Sequence, residues 1–111
     1  MLKFKDFLMK GDFRVPFCRT CRDRVWPPFE RCPTCLSNTI FKRISRMGIL
    51  LEFSTSFISG HAQDFGIIDL EGVHLLGSVQ GNNIFLGCTV VMYDCGVDEN
   101  LRPFYKFRTG T

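Results

Sequence analysis

Long apolar runs are absent from this chain of 111 residues. No stretch approaches the ~20 residues needed to span a bilayer, so no transmembrane helix and no membrane role are expected. The start of the chain carries lysines but neither an apolar h-region nor a small-residue cleavage site, so an exported form is not expected. A cytoplasmic, reducing setting follows as the expectation, consistent with six cysteines kept as thiols or metal ligands. Histidine is scarce: His61 and His74 are the only two. Each reads as a surface or hydrogen-bonded residue, because no positioned partner can be named that would make it a general base. A Gly-rich phosphate loop of P-loop or Rossmann form is missing, as are internal repeats and low-complexity segments. Nothing in these residues assembles a catalytic site, and an enzyme is not expected.

What the chain does have is four cysteines in metal-ligand spacing. Cys18-Arg19-Thr20-Cys21 is followed, ten residues later, by Cys32-Pro33-Thr34-Cys35. Two residues between cysteines let one tight turn aim both sulfurs at the same ion, and two such turns close a tetrahedron. The expected site is one structural Zn²⁺ held by Cys18, Cys21, Cys32 and Cys35, in a rubredoxin-like zinc ribbon. Iron in the same four-sulfur cage is chemically open, since tetrahedral sulfur suits both metals. A disulfide framework fits the spacing and setting poorly, and a thioredoxin-like motif would use one pair near a βαβ pattern. Cys88 and Cys95 lie outside the spacing and read as inert, buried thiols.

The net charge of +3 hides an asymmetry. Residues 1–46 carry eleven Lys or Arg against four Asp or Glu, whereas residues 47–111 carry three against seven. A basic front could face nucleic acid, an acidic protein surface or a phosphorylated cofactor; solvated loops on a small ribbon are the plain alternative. A division into residues 1–46 (helix and ribbon) and 47–111 (barrel) is expected, with the boundary near Met47-Gly48.

Along the first part, Phe4, Phe7 and Leu8 have helical spacing and Gly11 is a plausible stop. So short a helix must dock, either on its own barrel or on a partner. Residues 12–17 read as an extended arm, Val25-Trp26 as a short strand ended by Pro27-Pro28, and Thr39–Phe41 as a strand. Trp26 is expected to cover the metal cage or pack on the barrel. From Gly48 onward the pattern is all β. Strands are expected over 48–59, 65–70, 73–79, 88–93 and 102–108. Loops are expected over 59–64 and 94–101, with a tight turn at Glu71-Gly72 and a bulge or close approach at Gly77. Alternation places Tyr105 and Phe107 on one face of the last strand, and Phe104 and Lys106 on the other. The fold class is mainly β, with an OB-fold barrel leading and an SH3-like barrel second.

The order of these parts, with Trp26-Pro27-Pro28, the strand-turn-strand Gly66–Gly77 and the closing Arg102–Arg108, resembles the zinc-ribbon/OB-fold acyl-CoA-associated family, long described as a domain of unknown function. The resemblance covers nearly the whole chain. It implies a non-catalytic scaffold or accessory subunit beside a thiolase-fold enzyme of acetyl-CoA acetyltransferase type. In archaea such a subunit also joins hydroxymethylglutaryl-CoA synthase. It carries over the four cysteines as ligands and no catalytic residue. Relatives often place Gly after each cysteine pair, where this chain has Arg22 and Leu36, so irregular knuckles are expected. Lys42, Arg43 and Arg46 are candidates for the phosphates of CoA or acyl-CoA. Two alternatives remain: a single-stranded nucleic-acid binder, disfavoured by the acidic barrel, and a rubredoxin-like electron carrier.

Overall fold

A computed structural model describes residues 2–58 and 60–109 of the chain. They form two compact units, Met1–Ile44 with Cys95–Pro103 and Ser45–Asp94 with Phe104–Thr111. The chain is mainly β, with one short N-terminal helix, as its composition and alternation led us to expect.

In the first unit, helix α1 (Leu2–Met9) ends where Gly11 adopts φ 72°, and the amides of Lys10, Gly11 and Asp12 cap the last turn on Phe7 and Leu8 carbonyls. Phe4 and Leu8, four residues apart, lie on one face of the helix and are both buried. The Phe4 ring meets Phe13 and Trp26 edge-on, at 6.5 and 5.5 Å between centroids. The helix therefore docks on the ribbon unit itself, and Trp26 is part of that contact. Strands β1 (Arg14–Cys18), β2 (Asp23–Arg24) and β3 (Ile40–Arg43) make an antiparallel sheet in the order β2-β1-β3. Phe41 on β3 supports Phe7 at 5.5 Å, and the Arg14 guanidinium lies 4.6 Å over the same Phe7 ring. Asp12 ties the sheet edge together by accepting from Nε of Arg14 (2.8 Å) and Nε of Arg43 (2.9 Å).

The second unit is a closed barrel. Strands β4 (Met47–Ile58), β5 (His61–Leu70), β6 (Val73–Gln80), β7 (Thr89–Val97) and β8 (Pro103–Thr109) run in the order β4-β5-β6-β8-β7, with β6 and β8 parallel. This is the five-stranded Greek-key order of an OB-fold. Strict alternation on β6 sends Val73, Leu75, Gly77 and Val79 inward, where they meet Leu50, Ile68, Val90, Met92 and Phe107. Gly77 is a close approach rather than a bulge: a Cβ there would stand 2.7 Å from the Phe107 ring and 2.8 Å from the Tyr105 carbonyl. Its cross-strand partner is Gly66, where a Cβ would stand 2.5 Å from the Leu50 side chain and 2.7 Å from the Glu52 carbonyl. Asp69 Oδ1 accepts from the Gly72 amide at 2.7 Å and closes the expected turn, with Glu71 and Gly72 both at positive φ.

Several expectations differ from the structure: the short strand expected at Val25-Trp26 lies at Asp23–Arg24, and the helix packs on the ribbon unit rather than on the barrel or a partner. Residues 60–64 were expected in a loop; His61–Asp64 instead continue β5, paired with Thr55–Ile58 of β4, and Ser59 of the expected loop lies outside the described residues. Backbone pairing along a long hairpin overrides the low strand preference of those polar residues. Likewise β7 runs on to Val97, because Cys95 and Gly96 are buried, and the turn after it is built on the Asp98 carboxylate, which accepts from Asn100 and Arg102 amides.

Candidate metal centre

Cys18 ends β1, and the Cys21 amide turns back to donate to its sulfur at 3.3 Å. Around the second pair, the Leu36 amide reaches the Cys32 carbonyl (2.8 Å) and the Cys32 amide reaches the Ser37 carbonyl (2.9 Å). Thr39 fastens the approach by donating its hydroxyl to the carbonyls of Phe29 and Glu30. Both turns need a residue in the left-handed region directly after the second cysteine. Arg22 (φ 56°) and Leu36 (φ 64°) supply it without being glycine. The expected irregularity is thus absent, and its cost appears as backbone strain of about 1–2 kcal/mol per residue instead.

The two turns bring all four Sγ atoms within 4.8 Å of one another, so the cluster can hold one metal ion such as zinc. Cys18–Cys35 and Cys21–Cys32 sulfurs are 3.4 and 3.9 Å apart. A tetrahedral site with bonds of about 2.3 Å requires sulfurs about 3.8 Å apart, whereas a disulfide requires about 2.05 Å. Four soft donors at tetrahedral spacing fit Zn²⁺. Cys18 and Cys32 are buried beside Val25, while Cys21 faces solvent.

The sulfurs are electrostatically unequal. The hydroxyl and amide of Ser37 draw the Cys35 thiol down to about 6. The amides of Cys35 and Thr34 lower Cys32. Sharing hydrogen bonds with Cys35, then Cys18 and Cys32, pushes Cys21 up to about 12. Ser37 is a contributor that spacing alone did not single out; its signal is a hydroxyl two residues after the last cysteine.

The three basic candidates have different surroundings. The Lys42 ammonium sits 4.0 Å over the Phe17 ring, whereas the Arg43 guanidinium is engaged by Asp12 and its pKa is raised by that bond. Arg46 belongs to the barrel unit, where its carbonyl accepts from Met92. His74 Nε2 lies 3.9 Å from Asp69 Oδ1 across the β5–β6 hairpin, a partner not foreseen, but both side chains are solvent-exposed on a sheet face. His61 is exposed at the start of β5, and Cys88 and Cys95 are buried.

No protein-family model and no curated protein matches the sequence. Solved structures do. One, described as the Ltp2-ChsH2(DUF35) aldolase, aligns with a TM-score of 0.80 over 99% of this chain and 94% of its own, at 18% identity. The chain has the fold of the DUF35 proteins. A second, a DUF35-family protein of unknown function from Sulfolobus solfataricus, aligns with a TM-score of 0.65 over 98% of this chain and 84% of its own, at 12% identity. The likeness is one of fold, and it spans both the ribbon and the barrel. Among the described residues no helix is long and apolar enough to cross a membrane.

Proposed function

We propose that this DUF35-fold chain is a non-catalytic accessory subunit that binds one structural Zn²⁺ through Cys18, Cys21, Cys32 and Cys35 and docks on a thiolase-like enzyme acting on acyl-CoA. The observation that carries the reading is the end-to-end fold match to ChsH2, which is named together with Ltp2 in one aldolase. A four-thiolate cage supports it, because such a site leaves no coordination position for a substrate. Zinc held there would stabilise a ribbon too small to fold on apolar burial alone. Catalysis then belongs to the assembly. This chain contributes a surface, and Lys42, whose ammonium has no carboxylate partner among the described residues, is a better candidate than Arg43 for a CoA phosphate.

The nucleic-acid alternative is opposed by the barrel. In OB-folds the ligand lies on the outer face of the second and third strands, here β5 and β6. That region presents Phe65, Ile67 and Leu76 with Glu52, and a polyanion needs cations there.

The test is co-expression with candidate thiolase-fold and hydroxymethylglutaryl-CoA synthase partners, followed by gentle isolation and metal analysis. A stoichiometric complex with one zinc per chain is the expected result. A chain that stays alone with every such partner, or that turns over an acyl thioester by itself, overturns the reading.

A further inference from the structure

The barrel carries one apolar groove that its own fold leaves open. Register pairs Glu52 with Ile67 and Ile67 with Leu76, so the three stand in a row on the outer face of β4-β5-β6; Ser54, Phe65 and Ser78 form the next row. The segment Ile84–Leu86 walls the groove, which has a volume of about 680 Å³. Leu76, Phe85 and Leu86 are 68%, 61% and 63% exposed, an unusual concentration of large apolar side chains for a free surface.

The chemistry of the groove selects its occupant. Glu52 is the only charged residue lining it, and no cation pairs with Glu52 among the described residues. The whole barrel unit has five carboxylates against three Lys or Arg. An anionic lipid surface or a nucleic acid would meet the wrong sign. A second copy docking by a two-fold would press Glu52 toward its own counterpart in a drying contact. A strand added to the edge of β4, which is closed at Leu50 by bonds to Gly87 and Cys88, would lie beside the sheet and leave the apolar rows over β5 and β6 uncovered. What fits is a segment that lays apolar side chains into the trough and a cation against Glu52.

We propose that this groove docks an amphipathic helix of a partner protein, with apolar residues at i, i+3 or i+4 and i+7 over Ile67, Leu76 and Phe85, and a Lys or Arg paired with Glu52. This rests on the reading of the chain as an accessory subunit and names the surface it would use. Lost water over the apolar rows supplies the affinity, and the Glu52 pair fixes the register.

The experiment uses the zinc-loaded full chain, methyl-labelled, titrated at ~0.15 M salt with a short Leu/Lys helical peptide and with its Leu/Glu counterpart. The Lys peptide should give saturable shifts at Ile67, Leu76, Ile84 and Leu86. Leu76→Glu should weaken it by at least about tenfold, and Glu52→Lys should weaken it while conferring binding of the Glu peptide. Both substituted residues are exposed, so the fold is not at risk. The proposal is overturned by absent or non-saturable shifts, by shifts centred on the ribbon, or by affinity indifferent to both substitutions. Self-association abolished by Leu76→Glu would overturn it equally, as would equal binding to anionic vesicles. Should the groove fail while a stoichiometric enzyme complex still forms, the subunit reading stands and only its surface is lost.

Discussion

Replacing Leu36 by glycine should stabilise the ribbon relative to replacing it by alanine, reversing the usual order of these two residues. At an ordinary position glycine is less stable than alanine by ~0.5–1 kcal/mol, because the unfolded chain gains freedom. Leu36 has φ 64°, where a residue with a Cβ carries about 1–2 kcal/mol of strain. Subtracting the first from the second leaves Leu36→Gly ahead of Leu36→Ala by about 0.5–1 kcal/mol. The side chain is 68% exposed, and both variants forfeit the same small burial, so the comparison isolates the backbone. Arg22 offers the same geometry at φ 56°, but its removal also changes the net charge of the ribbon, which obscures the result. The measurement is denaturant unfolding of the metal-loaded chain, with zinc affinity by chelator competition as a second readout. Because metal binding and folding are coupled, the same difference appears as an affinity ratio of about two- to fivefold. If Leu36→Ala equals or exceeds Leu36→Gly, the left-handed backbone is not where the cost of the knuckle lies.

Stripping the metal with a strong chelator should abolish amide protection in β1, β2 and β3, since roughly 10 kcal/mol of folding free energy leaves with it, while amides of the barrel core around Leu50, Ile68 and Val90 stay protected; hydrogen exchange read by mass spectrometry checks both. Gly77→Ala should destabilise the barrel by about 1–3 kcal/mol through overpacking, since its Cβ would stand 2.7 Å from the buried Phe107 ring; urea unfolding measures it. Asp12→Asn should flatten the acid limb of ribbon stability. Arg43 first, then Arg14, holds the Asp12 carboxyl below its ordinary range. Its contribution is therefore complete above the unfolded value near 3.9 and disappears as pH falls through the lower folded value. Unfolding midpoints between pH 6 and the acid limb should converge for the two proteins at the acid end.

The cage was legible because ligand spacing is local: two residues between cysteines decide the turn before anything else folds. The barrel was legible for the same reason, since β6 alternates without a fault from Val73 to Val79 and the Glu71-Gly72 turn needs only its own residues. What escaped depends on pairing at a distance. Residues 61–64 look like a loop by composition and are strand because Thr55–Ile58 lie alongside them. Lys42 and Arg43 stand side by side in sequence. Adjacent residues on a strand point to opposite faces, however, and Asp12, some thirty residues away, occupies one of them. The helix was expected to dock on the barrel or on a partner; it packs instead on the ribbon unit, because Phe13, Trp26 and Phe41, scattered along the chain, meet it there.

The placement of polar and apolar groups also constrains where any binding can occur. Inside the barrel, Leu50, Ile68, Val90 and Phe107 are buried, with the Leu50 side chain close over Gly66 and the Phe107 ring close over Gly77. An ion held by all four sulfurs would have no coordination site left. The histidine best supplied with a carboxylate, His74, stands on an exposed face where water would screen the pair. The apolar groove lined by Phe65, Ile67, Leu76 and Phe85 lies on the face OB-folds use for ligands. A nucleic-acid binder would place arginine among those aromatics. This face sets Glu52 among leucine, isoleucine and phenylalanine, an arrangement that suits the protein partner proposed above.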